Sequence, residues 1–309
     1  MSSQHQIPSK KIVFLGLAES GKSTIISSVI EGTIPQLGGK YDATINYQRK
    51  IKVLCGTELN IFDLGGQTRF LDRFTGDLSE FVFSDVDVFI FVLEPLQVVD
   101  LSRAKYYLEL SLEKLDQFSP KANVHIFLHK MDLLPERLID NVFEYITSYF
   151  CSEISKDLQF HKTSVFSESI YMVIGKIFAE ILDIEADLCS ISDEFIQSLP
   201  NIVNHVQIMT KEGILLYVNE NKDNPPKLSS IQIKKLFESS VQRLTNNGGN
   251  HKRFFSTEVI DQICFADFLE NGLATLILIS NETEKLLQEE TSTIYDQIIS
   301  ISNQISLFK

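Results

Sequence analysis

The chain of 309 residues contains no tryptophan, only four cysteines, and too few basic residues to balance its acidic ones. Lys plus Arg number 28 against 41 Asp plus Glu, a formal charge of −13 at pH 7. A surface this acidic repels polyphosphate backbones, which excludes extended binding to DNA or RNA. Any phosphate must therefore be held locally, by a few donors in one loop. Cys55, Cys151, Cys189 and Cys264 lie far apart, with no CxxC pair and no histidine at zinc spacing. That excludes a disulfide framework and predicts free thiols in a reducing compartment. No apolar run approaches the roughly 20 residues needed to span a bilayer. The polar stretch 1–10 lacks a signal-peptide core, Met1 is not followed by glycine, and Ser306-Leu307-Phe308-Lys309 is no prenylation box. These features predict a soluble, cytosolic protein.

What is present is ordinary globular material, 44% hydrophobic and 22% charged, in a chain long enough for about two domains. From Lys11 to Asp183, short β-branched runs alternate with segments of helical period. Strands are predicted at 11–15, 49–54, 59–63, 86–93, 124–129 and 160–163, and helices at 22–31, 101–118, 138–150 and 170–182. Strand and helix in alternation mean crossover units, hence an α/β domain with a mostly parallel sheet. After Leu182 the rhythm changes. Helices are predicted at 184–199, 231–244 and 283–305, with strands at 202–209, 213–218, 254–260, 262–269 and 273–280. Thr210-Lys211-Glu212-Gly213 and Asn271-Gly272 supply hairpin chemistry. The prediction is two domains, 1–183 and an α+β domain over 184–309.

Gly16-Leu17-Ala18-Glu19-Ser20-Gly21-Lys22-Ser23 fits G-x-x-x-x-G-K-[ST], directly after a predicted strand and opening a predicted helix. In that context the backbone amides of such a loop wrap phosphate oxygens, the lysine reaches the β- and γ-phosphates, and the serine hydroxyl ligates Mg²⁺. A second constellation follows. The strand ending in Asp63 continues into Leu64-Gly65-Gly66-Gln67, one strand and 40 residues beyond Ser23. Asp63 is placed to hold the metal through a water, Gly66 to offer an N–H to the γ-phosphate, and Gln67 to orient the attacking water. Taken alone, D-x-x-G-Q is an ordinary strand-to-loop turn; its distance from the phosphate loop gives it the functional reading. Between the two, Thr44 in Gly38-Gly39-Lys40-Tyr41-Asp42-Ala43-Thr44-Ile45 is the best hydroxyl to close over Mg²⁺ and the γ-phosphate, a solvated loop threonine being the alternative.

His129-Lys130-Met131-Asp132 ends the strand 124–129, where open parallel sheets bind ligands. A carboxylate at Asp132 accepts two hydrogen bonds from the N1 and N2 edge of guanine, which adenine does not offer, and the stem of Lys130 is placed to lie over the base. Thr163-Ser164 either adds backbone contacts to the guanine O6 or is an ordinary strand end.

With these residues in hand, the chain resembles the Rag/Gtr family of Ras-superfamily GTPases from Lys11 to about Ile305. The resemblance rests on Asp63-Leu64-Gly65-Gly66-Gln67, on His129 where most such proteins carry asparagine, and on a second domain that looks like a roadblock/longin sandwich. Gln67 and His129-Lys130-Met131-Asp132 are closer to the RagA/B type than to the RagC/D type. Gly16 through Thr24 also resembles the phosphate loop of heterotrimeric G-protein α subunits, but only about 20 residues separate Ser23 from Thr44, too few for their helical insertion. Arf-like trafficking GTPases share the Gly-Gly-Gln run and lack the second domain.

The resemblance implies GTP/GDP and Mg²⁺ as ligands. Gly16, Glu19, Ser20, Gly21, Lys22, Ser23, Thr24, Gly66, His129, Lys130, Asp132, Thr163 and Ser164 would be at the nucleotide, Ser23, Thr44 and Asp63 at the metal, and Gln67, Lys22 and Thr44 in catalysis. It further implies a slow GTPase switch in amino-acid signalling to the target of rapamycin kinase complex. Such a switch pairs with a second Rag/Gtr-like GTPase through the C-terminal domain and meets an activating protein and a scaffold complex. It reaches a lysosome- or vacuole-like membrane only through partners. The competing readings are a nucleotide-binding assembly scaffold with little hydrolysis, and an ATPase or kinase sharing the phosphate loop.

Overall fold

Val88–Leu93, six consecutive apolar residues, form a strand with every side chain buried, and such a strand has one stable place, the middle of a covered sheet. The computed structural model describes residues 7–33, 43–54, 56–96, 100–152, 154, 156–167, 169–183, 203–210, 214–220, 255–259, 262–268 and 273–280. In it the strands are β1 (Ser9–Leu15), β2 (Tyr47–Leu54), β3 (Thr57–Leu64), β4 (Val88–Leu93), β5 (Asn123–His129) and β6 (Gln159–Thr163), ordered β2-β3-β1-β4-β5-β6. The β2–β3 pair is antiparallel and every other pairing is parallel, with Val13 beside Phe62 and Leu15 beside Phe91. The expected α/β domain and its six strands are present, each within two residues of its predicted ends.

The helices up to residue 181 are α1 (Lys22–Ile25), α2 (Thr68–Thr75), α3 (Ser79–Phe83), α4 (Leu101–Phe118), α5 (Glu136–Cys151) and α6 (Ser169–Ile181). Helix α4 has the predicted bounds, and its stripe of Leu101, Ala104, Leu108, Leu112 and Leu115 is buried. Fully burying one such leucine contributes about 1.5–3 kcal/mol; truncating Leu108 to alanine would cost about 2–5 kcal/mol. The helix predicted over 22–31 departs from expectation. It is α-helical only to Ile25 and continues as a π-helix over Ile26–Ile30, with Glu31 N–H bonded to Ile26 O at 3.2 Å. The wider turn accompanies burial of Ile25, Ile26, Val29 and Ile30 together. Helices α2 and α3 were not expected. Their signal is Phe70, Leu71, Phe74, Leu78 and Val82 at spacings of three and four, hidden because each helix is only five to eight residues long.

The chain divides into two compact units, residues 1–170 and 171–309. Asp183, the boundary read from sequence, lies just past α6, most of which belongs to the second unit. The second unit contains β7 (Val203–Thr210), β8 (Leu215–Glu220), β9 (Phe255–Val259), β10 (Gln262–Phe268) and β11 (Leu273–Ser280), a fully antiparallel sheet ordered β8-β7-β11-β10-β9. Its five strands match the predicted ones. In α6, a Cβ on Gly175 would lie 1.7 Å from the carbonyl oxygen of Leu215, so glycine is required where these backbones approach. The helices predicted at 184–199, 231–244 and 283–305, and the Asn271-Gly272 turn, lie outside the described residues. Among the described residues no helix is long and apolar enough to cross a membrane.

Candidate functional site

Strand β1 ends at Leu15 and helix α1 begins at Lys22; the six residues between them must reverse direction at the carboxyl edge of the sheet. Gly16 (φ 145°) does so against β4, where a Cβ would sit 2.2 Å from the Val92 carbonyl oxygen. Glu19 (φ 64°) and Gly21 (φ 100°) are left-handed on either side of Ser20, the alternation that turns successive amides toward one concavity. Lys22 is buried, and its Nζ donates to Gly16 O (2.9 Å), Leu17 O (2.8 Å) and Ser20 Oγ (3.3 Å). Burial pulls its pKa down to about 8; the nearby Asp63 carboxylate works against this and the Lys130 charge adds to it. The ammonium thus stays mostly charged at neutral pH. Thr24 is half-buried one residue beyond Ser23.

Three oxygens from distant parts of the chain meet beside that loop. Ser23 Oγ donates to Asp63 Oδ2 at 2.6 Å, Thr44 Oγ1 donates to the same oxygen at 3.0 Å, and the two hydroxyls are 2.8 Å apart. Two hydroxyl protons serve three contacts, so the cluster is one proton short. Asp63 is only 1% exposed, and its other oxygen, Oδ1, is buried without a hydrogen-bond partner. A carboxylate and two hydroxyls drawn together with an orphaned oxygen are the donor set of a hard divalent cation. Mg²⁺ takes one or two carboxylates and completes its shell with water and substrate phosphates. The residues present fit that ion.

Gly65 and Gly66 join this cluster to the phosphate loop. Gly65 N–H donates to Asn46 O at 2.7 Å, and a Cβ on Gly65 would come within 2.7 Å of Thr44 O. A Cβ on Gly66 would lie 2.4 Å from the Leu17 carbonyl group and 2.5 Å from Ala18 N. One glycine seats the threonine segment and the next touches the phosphate loop, so neither position tolerates a side chain. Gln67 is half-buried and caps α2 in an extended conformation, its carbonyl accepting from Phe70 and Leu71 N–H. Residues 38–42 of the threonine loop lie outside the described residues.

At the other end of the crevice, His129 is buried with its Nδ1 3.1 Å from Thr163 Oγ1, and its Cδ2 would be 2.5 Å from a Cβ on Gly21. Burial, reinforced by the Lys130 charge, pulls its pKa down to about 3, so the imidazole is neutral. The role of His129 is thus a bridge from β6 to the phosphate loop. Thr163 is buried, and Ser164 N–H is bonded to Ser169 Oγ at 3.2 Å. Lys130 (φ 64°) donates to Glu19 O at 2.7 Å and to Glu94 Oε2 at 2.6 Å. Asp132 is exposed in the 3₁₀ turn Met131–Leu133 just beyond β5. The predicted residues therefore fall along the edge of the sheet where β1, β3, β5 and β6 end, with Thr44 just before β2. Two participants went unread. Asn46 and Glu94 belong to no motif; only adjacency to a strand end marked them.

A family model described as the Gtr1/RagA G protein conserved region matches residues 11–239. The chain is similar to GTP-binding protein gtr1 of Schizosaccharomyces pombe, 31% identical over 165 residues, 52% of this chain and 53% of that protein. It is 26% identical over 287 residues to GTP-binding protein GTR1 of Saccharomyces cerevisiae, 88% of this chain and 86% of that protein. Ras-related GTP-binding protein B of Rattus norvegicus is 25% identical over 170 residues, 54% of this chain and 42% of that protein. The chain thus spans about half the length of the first of these relatives, less than half of the third, and most of the second. Among solved structures, the Arl6 BBS3 small GTPase from Trypanosoma brucei with bound GppNp matches 51% of this chain and 87% of its own, at 21% identity and a TM-score of 0.39.

Proposed function

The chain belongs to the Gtr1/RagA G protein family, and from that premise we propose that it is a Mg²⁺-dependent GTPase switch acting in amino-acid signalling. The observation that carries this reading is the convergence of Ser23, Thr44 and Asp63 on one point beside the phosphate loop. A scaffold that held nucleotide as inert filling would have no use for a threonine drawn from a separate loop onto the metal position.

The roles follow from the placements. Lys22 presents a desolvated ammonium to the β- and γ-phosphates. Ser23 and Thr44 hydroxyls and the Asp63 carboxylate would hold Mg²⁺, which when bound neutralises charge developing on the phosphate oxygens. Thr44 and Gly66 contact the γ-phosphate and lose that contact on hydrolysis, which is the switch. Gln67 orients the attacking water. Asp132 selects guanine over adenine. Unaided turnover is slow, because positioning water with Gln67 supplies no positive charge to the transition state; an activating protein supplying an arginine typically contributes about 10³–10⁵ in rate.

The partners proposed are a second Rag/Gtr-like GTPase bound through a roadblock-type C-terminal domain, an activator and a scaffold complex, with target of rapamycin kinase signalling downstream. Recruitment from the cytoplasm to a lysosome- or vacuole-like membrane would run through those partners. The test is Gln67→Leu. Stimulated single-turnover hydrolysis is expected to fall sharply while GTP affinity stays near wild type. Equal loss of both would remove the role given to Gln67. Wild-type protein that binds GTP and never hydrolyses it, with any activator, would favour the scaffold.

A further inference from the structure

One ammonium ties together three loops that leave adjacent strands. Lys130 follows β5, Glu94 follows β4, and Glu19 lies in the loop after β1; β1, β4 and β5 are neighbours in the sheet. Lys130 Nζ bonds the Glu94 carboxylate at 2.6 Å and the Glu19 carbonyl at 2.7 Å. The pair is sheltered, with the Glu94 side chain 12% exposed and that of Lys130 30%. Both Lys130 and Glu19 are non-glycine residues held in the left-handed region, each at φ 64°, a conformation that costs free energy and persists only under constraint. A carbonyl alone is a weak anchor for a long, flexible ammonium stem; a carboxylate is a strong one.

We propose that Glu94 is a positioning residue that sets nucleotide residence time by clamping Lys130 onto the phosphate loop. The base-reading loop and the phosphate loop then open and close as one unit rather than separately. This rests on the guanine-nucleotide reading above and goes beyond it, since that reading gives Glu94 no role and its bond is to Lys130.

The experiment uses fluorescent GDP and a non-hydrolysable GTP analogue on the full chain, with dissociation chased by excess unlabelled nucleotide. Glu94→Gln keeps size and shape and removes the charge. It is expected to speed dissociation of both nucleotides by about tenfold or more, with single-turnover hydrolysis of bound GTP changed far less. Glu94→Asp, which restores charge on a shorter arm, is expected to recover part of the residence time. In a Lys130→Met background, Glu94→Gln is expected to add little. The proposal is overturned by wild-type dissociation in Glu94→Gln, by equal losses in the Gln and Asp variants, by hydrolysis falling in parallel, or by full additivity with Lys130→Met. Failure of the wild-type chain to retain any guanine nucleotide would refute the proposed function instead.

Discussion

The two ends of the crevice are built on opposite plans. At the phosphate end, polar groups are buried and already engaged: Lys22 covers two carbonyls of its own loop, and Asp63 gathers two hydroxyls. At the base end, the carboxylate assigned to recognition, Asp132, stands in water, while its neighbours His129 and Lys130 are tied inward to Thr163, Glu19 and Glu94. The difference separates two tasks. A buried, preorganised charge supplies affinity, because little rearrangement remains when a phosphate arrives. A solvated carboxylate adds selectivity, because it rewards only a base that offers matching donors and leaves the wrong base without them.

Substitutions at the two ends should therefore separate affinity from selectivity. The largest loss is expected for Lys22→Met, which deletes a buried cation and leaves its carbonyl partners unpaired. Triphosphate binding should weaken by about 3–5 kcal/mol, a hundredfold or more, in titrations with fluorescent GTP. A smaller loss would mean that the loop amides alone carry the phosphate. Asp132→Ala should instead leave phosphate affinity largely in place and reduce the preference for guanine over adenine, by about 2–3 kcal/mol. Competition of ATP against bound GDP reads this out, and an unchanged preference would move recognition away from Asp132. Gly66→Ala, whose Cβ meets the phosphate loop backbone, should cost about 1–3 kcal/mol and weaken GTP binding more than GDP binding. Equal effects on both nucleotides would show that Gly66 does not sense the γ-phosphate.

The smallest expected effect is on pH dependence. His129 has its pKa pulled down to about 3 from an ordinary 6.5. The unfolded chain therefore binds the proton first as pH falls, and stability is full above about 6.5 and declines from there toward 3. Between pH 6.5 and 5 the decline should be about 1.5 kcal/mol, seen as a falling urea midpoint. His129→Asn should flatten that slope; an unchanged slope would assign the acid sensitivity to other groups.

Much of this crevice was legible in the residues because its phosphate half is contiguous. Gly16 to Ser23 must turn within eight residues, and only glycine at 16 and 21 clears the Val92 carbonyl and the His129 ring. The strands were legible for a similar reason, since runs such as Val88–Leu93 carry their burial in their composition. Helices α2 and α3 escaped because five to eight residues give too few turns for a 3.6-residue period to stand out. The π-helical end of the first helix escaped because no residue type announces an i to i+5 bond. Glu94 escaped because one acidic residue after a strand has no signature until its partner is known.

Local pattern by itself determined the order of strands and helices, the phosphate loop and the candidate roles of Asp63 and Asp132, since side-chain period and backbone sterics act over a few residues. Only the folded chain decided which of those groups meet. Ser23 lies 21 residues from Thr44 and 40 from Asp63, and Lys130 lies 36 from Glu94. Contacts at such separations exist because parallel pairing brings the carboxyl ends of β1, β3, β4 and β5 to one edge and antiparallel β2 brings its amino end, with Thr44, to the same edge; no local preference encodes which loops will share it.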